Sequence, residues 1–283
     1  MITCNLMGGL GNQIFQIFAT INYAIKNKKQ FGFLNVKTLG ENYTTIRYTF
    51  WETFFSKLQP FLKNNFGTGY QINEKQFSYD ELPDIRMIKE NILLYGYFQS
   101  YKYFQENYAL ICRIICLDKM KEDLLIKLKF NKEELKNVIS MHFRIGDYKL
   151  APHYHPLATH LYYERSLEYI SNNKPLSSES HKVIYFCEDT DIDDVMKIIN
   201  SLEQKFTNYK FIRCDNNLAD WEQMLLMSCC NHNIIANSSF SWWGAYFNSA
   251  EDKIICYPSI WFGIYAQHDT RDLCPPTWIK IKV

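Results

Sequence analysis

The second half of the chain alternates short apolar runs with amphipathic segments. The apolar runs predict strands at residues 138–142, 182–187, 209–213, 233–236 and 253–257. The amphipathic segments predict helices at residues 159–171, 189–205, 218–230 and 240–248. Because continuous apolar runs are typical of strands that helices cover on both faces, this order predicts a parallel α/β sheet.

The first half opens with the same order of strand, turn and helix. Residues 1–6 predict a strand and residues 7–13 a glycine-rich turn, after which Ile14, Phe18 and Ile21 recur at the spacing of a buried helical face. Backbone amides in such a turn can approach a phosphate. The glycine spacing matches neither GxGxxG nor the P-loop, so a tight turn without a ligand is the commoner reading of these residues alone.

Between these regions the pattern weakens. Further strands are predicted at residues 31–36 and 91–98, whereas the aromatic segment 43–79 supports no assignment. Residues 110–120 predict a helix, and a charged amphipathic segment follows at 119–136. We place the domain boundary here, which predicts an N-terminal domain of residues 1–134 and a C-terminal domain of residues 135–283.

Composition excludes several classes of protein. The chain has 283 residues, of which 47% are hydrophobic, which predicts a folded core and argues against disorder. A formal charge of +1 provides no bulk basic field for nucleic acid. No apolar run approaches the ~20 residues of a membrane-spanning helix, so we expect a protein that is soluble or at most peripheral to a membrane.

Cysteine usage predicts a cytoplasmic protein. Nine cysteines are scattered along the chain without a CxxC pair or zinc spacing, as is typical of reduced core residues. The sequence NSS at residues 237–239 would be a glycosylation sequon in a secreted protein, but it falls in a predicted buried site. Both observations favour a reducing compartment.

Polar residues follow three predicted strands of the second half. His142, Arg144 and Asp147 come at the end of one, Asp189 follows the next, and the serine-rich segment 237–241 begins a helix after a third. Ligands bind at the carboxyl ends of strands in open α/β sheets. A guanidinium and a helix N-terminus at that edge predict a site for a nucleotide diphosphate. An Arg144–Asp147 ion pair and ordinary helix capping remain the plainer alternatives.

Four blocks of sequence give the chain a specific resemblance. They are GGLGNQIFQ at residues 8–16, GYFQS at 96–100, HFRIGDY at 142–148 and IIANSSFSWWG at 234–244. In this order they resemble the signature blocks of the α-1,2-fucosyltransferase family, which acts on GDP-fucose. The blocks span nearly the whole chain, and the last is the most specific of them.

The resemblance implies a fold and a reaction. The fold is GT-B, in which two Rossmann-like domains face each other across a cleft, the first on the acceptor side and the second binding the nucleotide sugar. The reaction is an inverting transfer that needs no metal and no other cofactor, the GDP-sugar being a substrate. The implied partners are this donor and a saccharide or glycoconjugate acceptor, with O2 of galactose as the position that receives L-fucose.

The resemblance also implies roles by position. Arg144 would bind the diphosphate, and His142 would line the guanosine pocket. Asp189 would contact guanine or ribose. The β-phosphate would be held at a helix start by Ser238, Ser239 and the Phe240 amide. The pyrophosphate and the reacting sugar would be covered by Gly11 and Asn12 of the glycine-rich turn.

Three residues that follow Arg144 in the sequence bear on the proton acceptor and on the identity of the donor sugar. The acceptor hydroxyl must lose a proton, and His155 is one candidate for the base. Asp147 is the competing candidate, although a role in orienting Arg144 or its loop is the stronger expectation. The family pattern HxRRxD has a second arginine where this chain has Ile145. That departure bears on the identity of the donor sugar more than on the fold or the reaction class.

Two groups of residues mimic metal sites. Asp189 and Asp191 match the DxD motif of other glycosyltransferases, but they open a predicted helix, where the helix dipole favours acidic residues. His153, His155 and His160 are ligands by type, but their spacing fits no standard site. We therefore predict that the enzyme binds no metal.

Two functions other than the transfer of fucose from GDP-fucose also fit the sequence. The same scaffold could use another 6-deoxyhexose or another nucleotide. The chain could also be a non-catalytic module that binds a sugar or nucleotide, to which its 16% aromatic content would be suited. Turnover of GDP-fucose with lactose distinguishes an enzyme from such a module.

Overall fold

In a computed structural model of the protein, residues 1–40, 46–67, 69–173 and 181–283 are described, and the chain divides into two compact units. The first unit comprises residues 1–120 and 268–275, and the second comprises residues 121–267 and 276–283. Part of segment 43–79, for which the sequence supports no assignment, lies outside the described residues.

The chain passes to the second unit earlier than the boundary predicted between residues 134 and 135. The charged segment after residue 120 explains the difference, because its lysines form hydrogen bonds with later residues of the second unit. Lys121 Nζ donates to the carbonyl oxygen of Phe247 at 2.5 Å, and Lys127 Nζ pairs with Glu222 Oε1 at 2.6 Å. An amphipathic segment that appears solvated in the sequence is thus attached to the unit that follows it.

The first unit begins with the predicted strand, turn and helix. Its elements are β1 (Ile2–Cys4), α1 (Leu10–Lys26), β2 (Phe33–Leu34), β3 (Thr38–Leu39), β4 (Arg47–Tyr48), β5 (Leu62–Lys63), β6 (Gly69–Asn73), β7 (Asn91–Tyr95) and α2 (Tyr108–Ile114). Short 3-10 helices lie at Ser56–Phe61, Tyr101–Tyr103 and Gln105–Asn107.

Three parallel strands form the main sheet of this unit, in the order β1-β7-β6. The sequence does not predict β6, because Ile72 is the one buried residue of an otherwise polar and exposed edge strand. All three strands point the same way, so their carboxyl ends share one edge. The glycine-rich turn, the block at residues 96–100 and Glu74 follow those three ends.

Helix α1 packs against this sheet as its apolar spacing predicts. Ile14, Phe18 and Ile21 are fully buried, and the ring of Phe18 meets that of Phe104 edge-on at 5.7 Å. The helix ends at Lys26, and Lys28 has a positive φ of 53° that turns the chain away. Burial of this face fixes the amino end of α1, where the glycine-rich turn lies.

The second unit is the regular α/β region. Its elements are α3 (Leu117–Leu128), α4 (Lys132–Leu135), β8 (Val138–His142), α5 (His160–Asn173), β9 (His181–Phe186), α6 (Ile192–Lys205), β10 (Tyr209–Arg213), α7 (Asp220–Cys229), β11 (His232–Ile234), α8 (Ser239–Tyr246), β12 (Ile255–Pro258) and β13 (Ile279–Ile281). Helix α3 contains the division between the two units.

Six strands, all parallel, form the sheet of the second unit in the order β10-β9-β8-β11-β12-β13. All five residues of β8 are buried, as a strand inside a parallel sheet requires. The predicted α/β class, with a parallel sheet in each unit, is confirmed. Trp242 and Trp243 of α8 are fully buried core residues, as predicted.

The sequence prediction is wrong about one helix and misses a further strand. The helix predicted at residues 110–120 is broken, because Cys116 has a φ of 57° and separates α2 from α3. A left-handed residue of this kind ends the hydrogen-bond pattern of a helix. The short strand β13 is not predicted, because its three residues contain a single buried position, Ile281.

Two general features concern compartment and membrane. All nine cysteines lie in the described part of the chain, where none is joined in a disulfide. Among the described helices, none is both long and apolar enough to cross a bilayer.

Candidate functional site

Three adjacent strands of the second unit carry the predicted site residues at one edge. Strand β8 lies between β9 and β11, so the residues after all three strands are neighbours. His142 ends β8, Glu188 and Asp189 follow β9, and Ser238 precedes α8 after β11. The convergence predicted from the sequence is therefore present, and it is built by the order of the strands.

Arg144 is held by two carboxylates from different loops. Its Nη2 donates to Asp147 Oδ1 at 2.5 Å, and its Nη1 donates to Glu188 Oε1. The Arg144 side chain is 23% exposed, so it is fixed without being sealed from solvent. The predicted Arg144–Asp147 pair is present. The sequence places the loop of Glu188 and Asp189 at this edge, but it does not predict the contact of Glu188 with Arg144, because the two residues follow different strands.

The ring of Tyr148 supports Arg144 on the same loop. The guanidinium carbon lies 5.1 Å from the ring centroid, which is a cation–π distance. The ring of His155 stacks on Tyr148 at 4.5 Å, with 20° between the planes. The Tyr148 hydroxyl donates to the carbonyl oxygen of Asn237 at 3.1 Å, which ties this loop to the start of α8.

A short 3-10 turn, Gly146–Leu150, fixes the backbone after Arg144. Gly146 has a φ of 24°, and its N–H donates to Asp191 Oδ2 at 2.7 Å. A side chain at Gly146 would meet the Glu188 carboxylate. Asp191 is buried, and Lys149 pairs with Asp194 at 2.7 Å close by. The turn is therefore anchored to the beginning of α6.

His142 is a neutral, buried imidazole. Burial and the charge of Arg144 lower its pKa from 6.5 to about 3. Its ring lies 5.5 Å from the ring of Phe240 in α8. Among the described residues, no hydrogen-bond partner reaches the buried Nδ1 atom. A buried polar atom of this kind calls for a hydrogen-bond partner from outside the described residues, and a bound ligand is one group that can supply it.

Asp189 lies further along the same edge. Its Oδ1 accepts from Arg213 Nη2 at 2.7 Å and also from Asn216 Nδ2. The Asp189 side chain is 74% exposed and therefore accessible to a ligand. The sequence does not single out Arg213, which stands at the end of β10 and orients Asp189.

The start of α8 is capped by its own residues. Ser238 Oγ accepts from the Phe240 N–H at 3.3 Å, and the Ser238 N–H donates to the Ala236 carbonyl oxygen. Ser239 is the first helical residue. Capping, the plainer alternative from the sequence, is thus present. Because 3.3 Å is a long hydrogen bond, an anion could replace Ser238 as the acceptor for Phe240 at small cost.

Asn237 fixes the loop before this helix. Its Nδ2 donates to the carbonyl oxygens of Pro156 and Trp261, at 2.9 and 3.0 Å. These bonds tie the start of α8 to the loop that carries His155. The buried position of Asn237 agrees with the expectation that the NSS sequon is inaccessible.

Gly11 and Asn12 lie in the first turn of α1, in the first unit. Asn12 Oδ1 accepts from Gln99 Nε2 at 2.9 Å. Gly8 has a φ of 73°, and a side chain there would overlap the Asn12 amide. The glycine is therefore required both by its backbone conformation and by the close approach of Asn12.

The residues that resemble metal ligands have other partners. Asp189 pairs with Arg213, whereas Asp191 accepts from the Gly146 N–H. His155 stacks on Tyr148, and His160 Nε2 pairs with Glu164 at 3.0 Å. In the part of the chain that the structure describes, no group of three potential ligands converges.

The model of the protein family described as "Glycosyl transferase family 11" matches residues 1–282 of the chain. The chain belongs to this family. The resemblance carried by the four sequence blocks is thereby confirmed, and the chain is an enzyme, a glycosyltransferase. As a family 11 enzyme it has a sugar donor and an acceptor as substrates.

Two curated relatives of this family 11 chain come from Escherichia coli. An O-antigen biosynthesis glycosyltransferase, WbnK, is 30% identical over 69% of this chain and 62% of its own length. An alpha-1,2-colitosyltransferase is 27% identical over 100% of this chain and 99% of its own length. The chain thus spans less than two thirds of the first relative and nearly all of the second.

Two solved structures show distant similarity to this chain. Arabidopsis thaliana FUT1 in complex with GDP is 10% identical, with a TM-score of 0.46 over 90% of this chain and 69% of that chain. The E. coli ADP-heptose heptosyltransferase II is 12% identical, with a TM-score of 0.36 over 58% of this chain and 43% of that chain. Both scores lie below 0.5, so the description of the fold rests on the two sheets themselves.

Proposed function

We propose that this family 11 enzyme transfers L-fucose from GDP-fucose, with inversion, to a hydroxyl of a saccharide acceptor, with O2 of galactose as the receiving position. The observation that carries the proposal is Arg144, a partly exposed guanidinium fixed at the carboxyl end of β8. A guanidinium in that place suits a diphosphate, which it can bind through parallel N–H groups.

The two carboxylates on Arg144 leave it able to bind this ligand. A guanidinium has five N–H donors, and Asp147 and Glu188 each accept a single hydrogen bond, from Nη2 and Nη1 respectively. Departure of GDP develops negative charge on the diphosphate. Arg144 and the amino end of α8 are the positive groups that would stabilise that charge.

The nucleoside would lie along the same edge. His142 offers a neutral imidazole whose Nδ1 has no hydrogen-bond partner in the described part of the chain, and Asp189 offers an exposed carboxylate oriented by Arg213. A carboxylate can accept from the N–H groups of guanine or from ribose hydroxyls. These contacts support GDP as the nucleotide, with Ser238, Ser239 and the Phe240 amide toward the β-phosphate.

The acceptor hydroxyl requires a proton acceptor or late loss of its proton to solvent. Asp147 uses one carboxylate oxygen on Arg144, as a residue that orients the guanidinium would. His155 presents a ring stacked on Tyr148. We retain His155 as the candidate base and assign Asp147 to the orientation of Arg144. Gly11 and Asn12 keep their predicted roles toward the pyrophosphate and the reacting sugar.

A second donor has a specific observation in its favour. One relative that matches the whole chain is an alpha-1,2-colitosyltransferase. Ile145 stands where the fucosyltransferase pattern has a second arginine. A nucleotide-linked colitose is therefore the alternative donor on the same scaffold.

The direct test is turnover of GDP-fucose with lactose, followed by release of GDP and by identification of the product. We expect fucosylation of galactose O2 by the wild-type enzyme. Arg144→Ala should reduce kcat by a factor of roughly 100 or more, because removal of one donor to a developing oxyanion has an effect of that order. The matched control is Arg113→Ala, which removes an exposed arginine of α2.

Three outcomes would contradict this proposal in different ways. A wild-type rate in Arg144→Ala would reject the role of Arg144. Binding of GDP-fucose without any GDP release would favour a non-catalytic module. In a thermal-shift comparison, stronger stabilisation by a UDP-sugar or dTDP-sugar than by GDP-fucose would reject the donor, since stabilisation follows affinity.

A further inference from the structure

Glu74, at the end of β6, holds the backbone of the neighbouring loop with both carboxylate oxygens. Oε2 accepts from the Tyr97 N–H at 2.7 Å, and Oε1 accepts from the Phe98 N–H at 2.9 Å. Two consecutive amides bound to one carboxylate fix the peptide between them. Glu74 has no role in the mechanism proposed above, and no sequence block contains it.

The loop that Glu74 holds, residues 96–99, has an unusual conformation. Phe98 has a φ of 52°, which is uncommon for a bulky residue and requires support from its surroundings. Its ring is fully buried and meets the ring of Tyr103 edge-on at 5.2 Å. A side chain at Gly96 would overlap the Glu74 side chain, so the glycine permits the close approach.

The next residue connects this loop to the glycine-rich turn. Gln99 is 8% exposed, and its Nε2 donates to Asn12 Oδ1 at 2.9 Å. With Oδ1 engaged by Gln99, the Nδ2 end of the Asn12 amide is directed toward Gly8. Gln13 Nε2 also donates to the Gly8 carbonyl oxygen, at 3.0 Å. The three carboxyl ends of the β1-β7-β6 sheet are thus connected by hydrogen bonds.

We propose that Glu74 is a positioning residue that holds loop 96–99 and, through Gln99, sets the orientation of the Asn12 amide that transfer requires. The proposal rests on the proposed function for the role of Asn12 in transfer. A role for Glu74 as the general base fits the contacts less well, since both of its oxygens already accept backbone N–H groups.

The state of ionisation of Glu74 gives a readout of this role. Burial raises the pKa of Glu74 to about 7, and the two backbone hydrogen bonds oppose the rise. The titratable neighbours are the phenols of Tyr97 and Tyr103, and burial raises the pKa of both, so they stay neutral near pH 7. Protonation turns one carboxylate oxygen of Glu74 into an O–H donor that faces a backbone N–H. Only the other oxygen then remains as a good acceptor for the two N–H groups.

The first experiment measures amide hydrogen exchange and does not depend on activity. In the wild-type protein, protection of residues 96–100 and 7–13 should fall as pH decreases from about 8 to about 6, after correction for the intrinsic rate. Glu74→Gln should show low protection that no longer depends on pH, because a glutamine offers a single acceptor. Glu90→Gln, which changes an exposed carboxylate just before β7, should behave as wild type.

The second experiment measures transfer from GDP-fucose to lactose. Glu74→Gln and Gln99→Ala should each lower kcat by roughly 10- to 100-fold, as expected when a reacting group is misplaced by about 1 Å, with a much smaller change in the donor KM. The double variant should be no slower than the slower single variant, because both substitutions interrupt the same connection. Gln99→Ala keeps the proposal testable if Glu74→Gln does not fold.

Four results would overturn the proposal. In the kinetic experiment they are a wild-type kcat in Glu74→Gln, or a double variant whose loss of kcat is the product of the two single losses. In the exchange experiment they are pH-independent protection of residues 96–100 in the wild type, or unchanged exchange at residues 7–13 in Glu74→Gln. If the wild type releases no GDP from GDP-fucose, the proposed donor fails. The exchange experiment then still decides whether Glu74 holds Asn12.

Discussion

His142 shows how a single residue acquires its state from its surroundings. A histidine beside an arginine, buried at the end of a central strand, is disfavoured in its charged form on both counts. The imidazole therefore remains neutral near pH 7 and offers one donor and one acceptor. A neutral ring next to Arg144 adds no further charge to the guanidinium and its two carboxylate partners, Asp147 and Glu188.

This state predicts how stability depends on pH. The unfolded chain protonates His142 below about pH 6.5, whereas the folded protein does so only near pH 3, so the contribution of His142 to stability falls as pH decreases through this interval. Between pH 7 and pH 5 the loss should be about 2 kcal/mol. Urea unfolding at both pH values measures it.

His142→Gln provides the matched comparison, because glutamine does not titrate. Its free energy of unfolding should change less between pH 7 and pH 5 than that of the wild type, by about the same 2 kcal/mol. An equal change in both proteins would show that His142 is accessible to protons in the folded state.

The residue scale also shows where prediction from sequence ends. The Arg144–Asp147 contact is predictable, because the two residues are three apart in one loop. The Arg144–Glu188 contact requires the order of the strands, which local patterns do not encode. Ile145 belongs to the hydrophobic core, where it is 8% exposed beside Phe143 and Tyr163. The position that carries arginine in the family pattern therefore serves packing in this chain.

At the scale of elements, the 3-10 turn Gly146–Leu150 does most to shape the site. It places Tyr148 against Arg144 and His155, while Gly146 and Lys149 contact the acidic start of α6. The turn therefore connects β8 with α6 and, through the Tyr148 hydroxyl, with the start of α8.

Two substitutions at Tyr148 separate the ring from the hydroxyl. Tyr148→Phe keeps the ring and loses the bond to Asn237, so kcat/KM should stay within about threefold of wild type while stability falls by about 1 kcal/mol. Tyr148→Leu loses the cation–π contact, and kcat/KM should fall about tenfold, which corresponds to about 1.4 kcal/mol. Steady-state kinetics and thermal unfolding measure both. Equal impairment of the two variants would assign the effect to the hydroxyl.

The success of element prediction follows burial. Strands β8, β9 and β12 have apolar runs because helices and neighbouring strands cover them, so their existence is predictable although their order in the sheet is not. Strand β6 exposes four of its five residues, and its pairing with β7 is not visible in its own sequence. Glu74 lies at the end of this unpredicted strand, which explains why the sequence gives no signal for it.

At the scale of the whole molecule, the formal charge of +1 hides local concentration of charge. Arg144 and the amino end of α8 stand together at one edge of the second sheet. These groups can stabilise a leaving diphosphate without a divalent ion. The chemistry proposed for this enzyme therefore uses charges that the fold itself supplies.

The metal dependence of transfer tests whether the enzyme needs a divalent ion. Transfer from GDP-fucose to lactose should continue at the same rate after dialysis against EDTA, and added Mn²⁺ should leave it unchanged. GDP release and product formation are both measured, so that hydrolysis is distinguished from transfer. Loss of transfer on chelation, with recovery on addition of Mn²⁺, would return Asp189 and Asp191 to consideration as ligands.

The interleaving of the two units has a consequence for recombination between relatives. Neither unit is one continuous stretch, since residues 268–275 belong to the first and residues 276–283 return to the second, where β13 completes its sheet. A single crossover after residue 120 would replace the second unit and would also bring a foreign segment 268–275 into the first unit. In that segment the backbone carbonyl of Asp272 accepts from Ser100 Oγ at 2.6 Å, and its carboxylate accepts from Lys102 Nζ at 2.5 Å. A working chimera must therefore exchange two separate stretches and retain the eight residues between them.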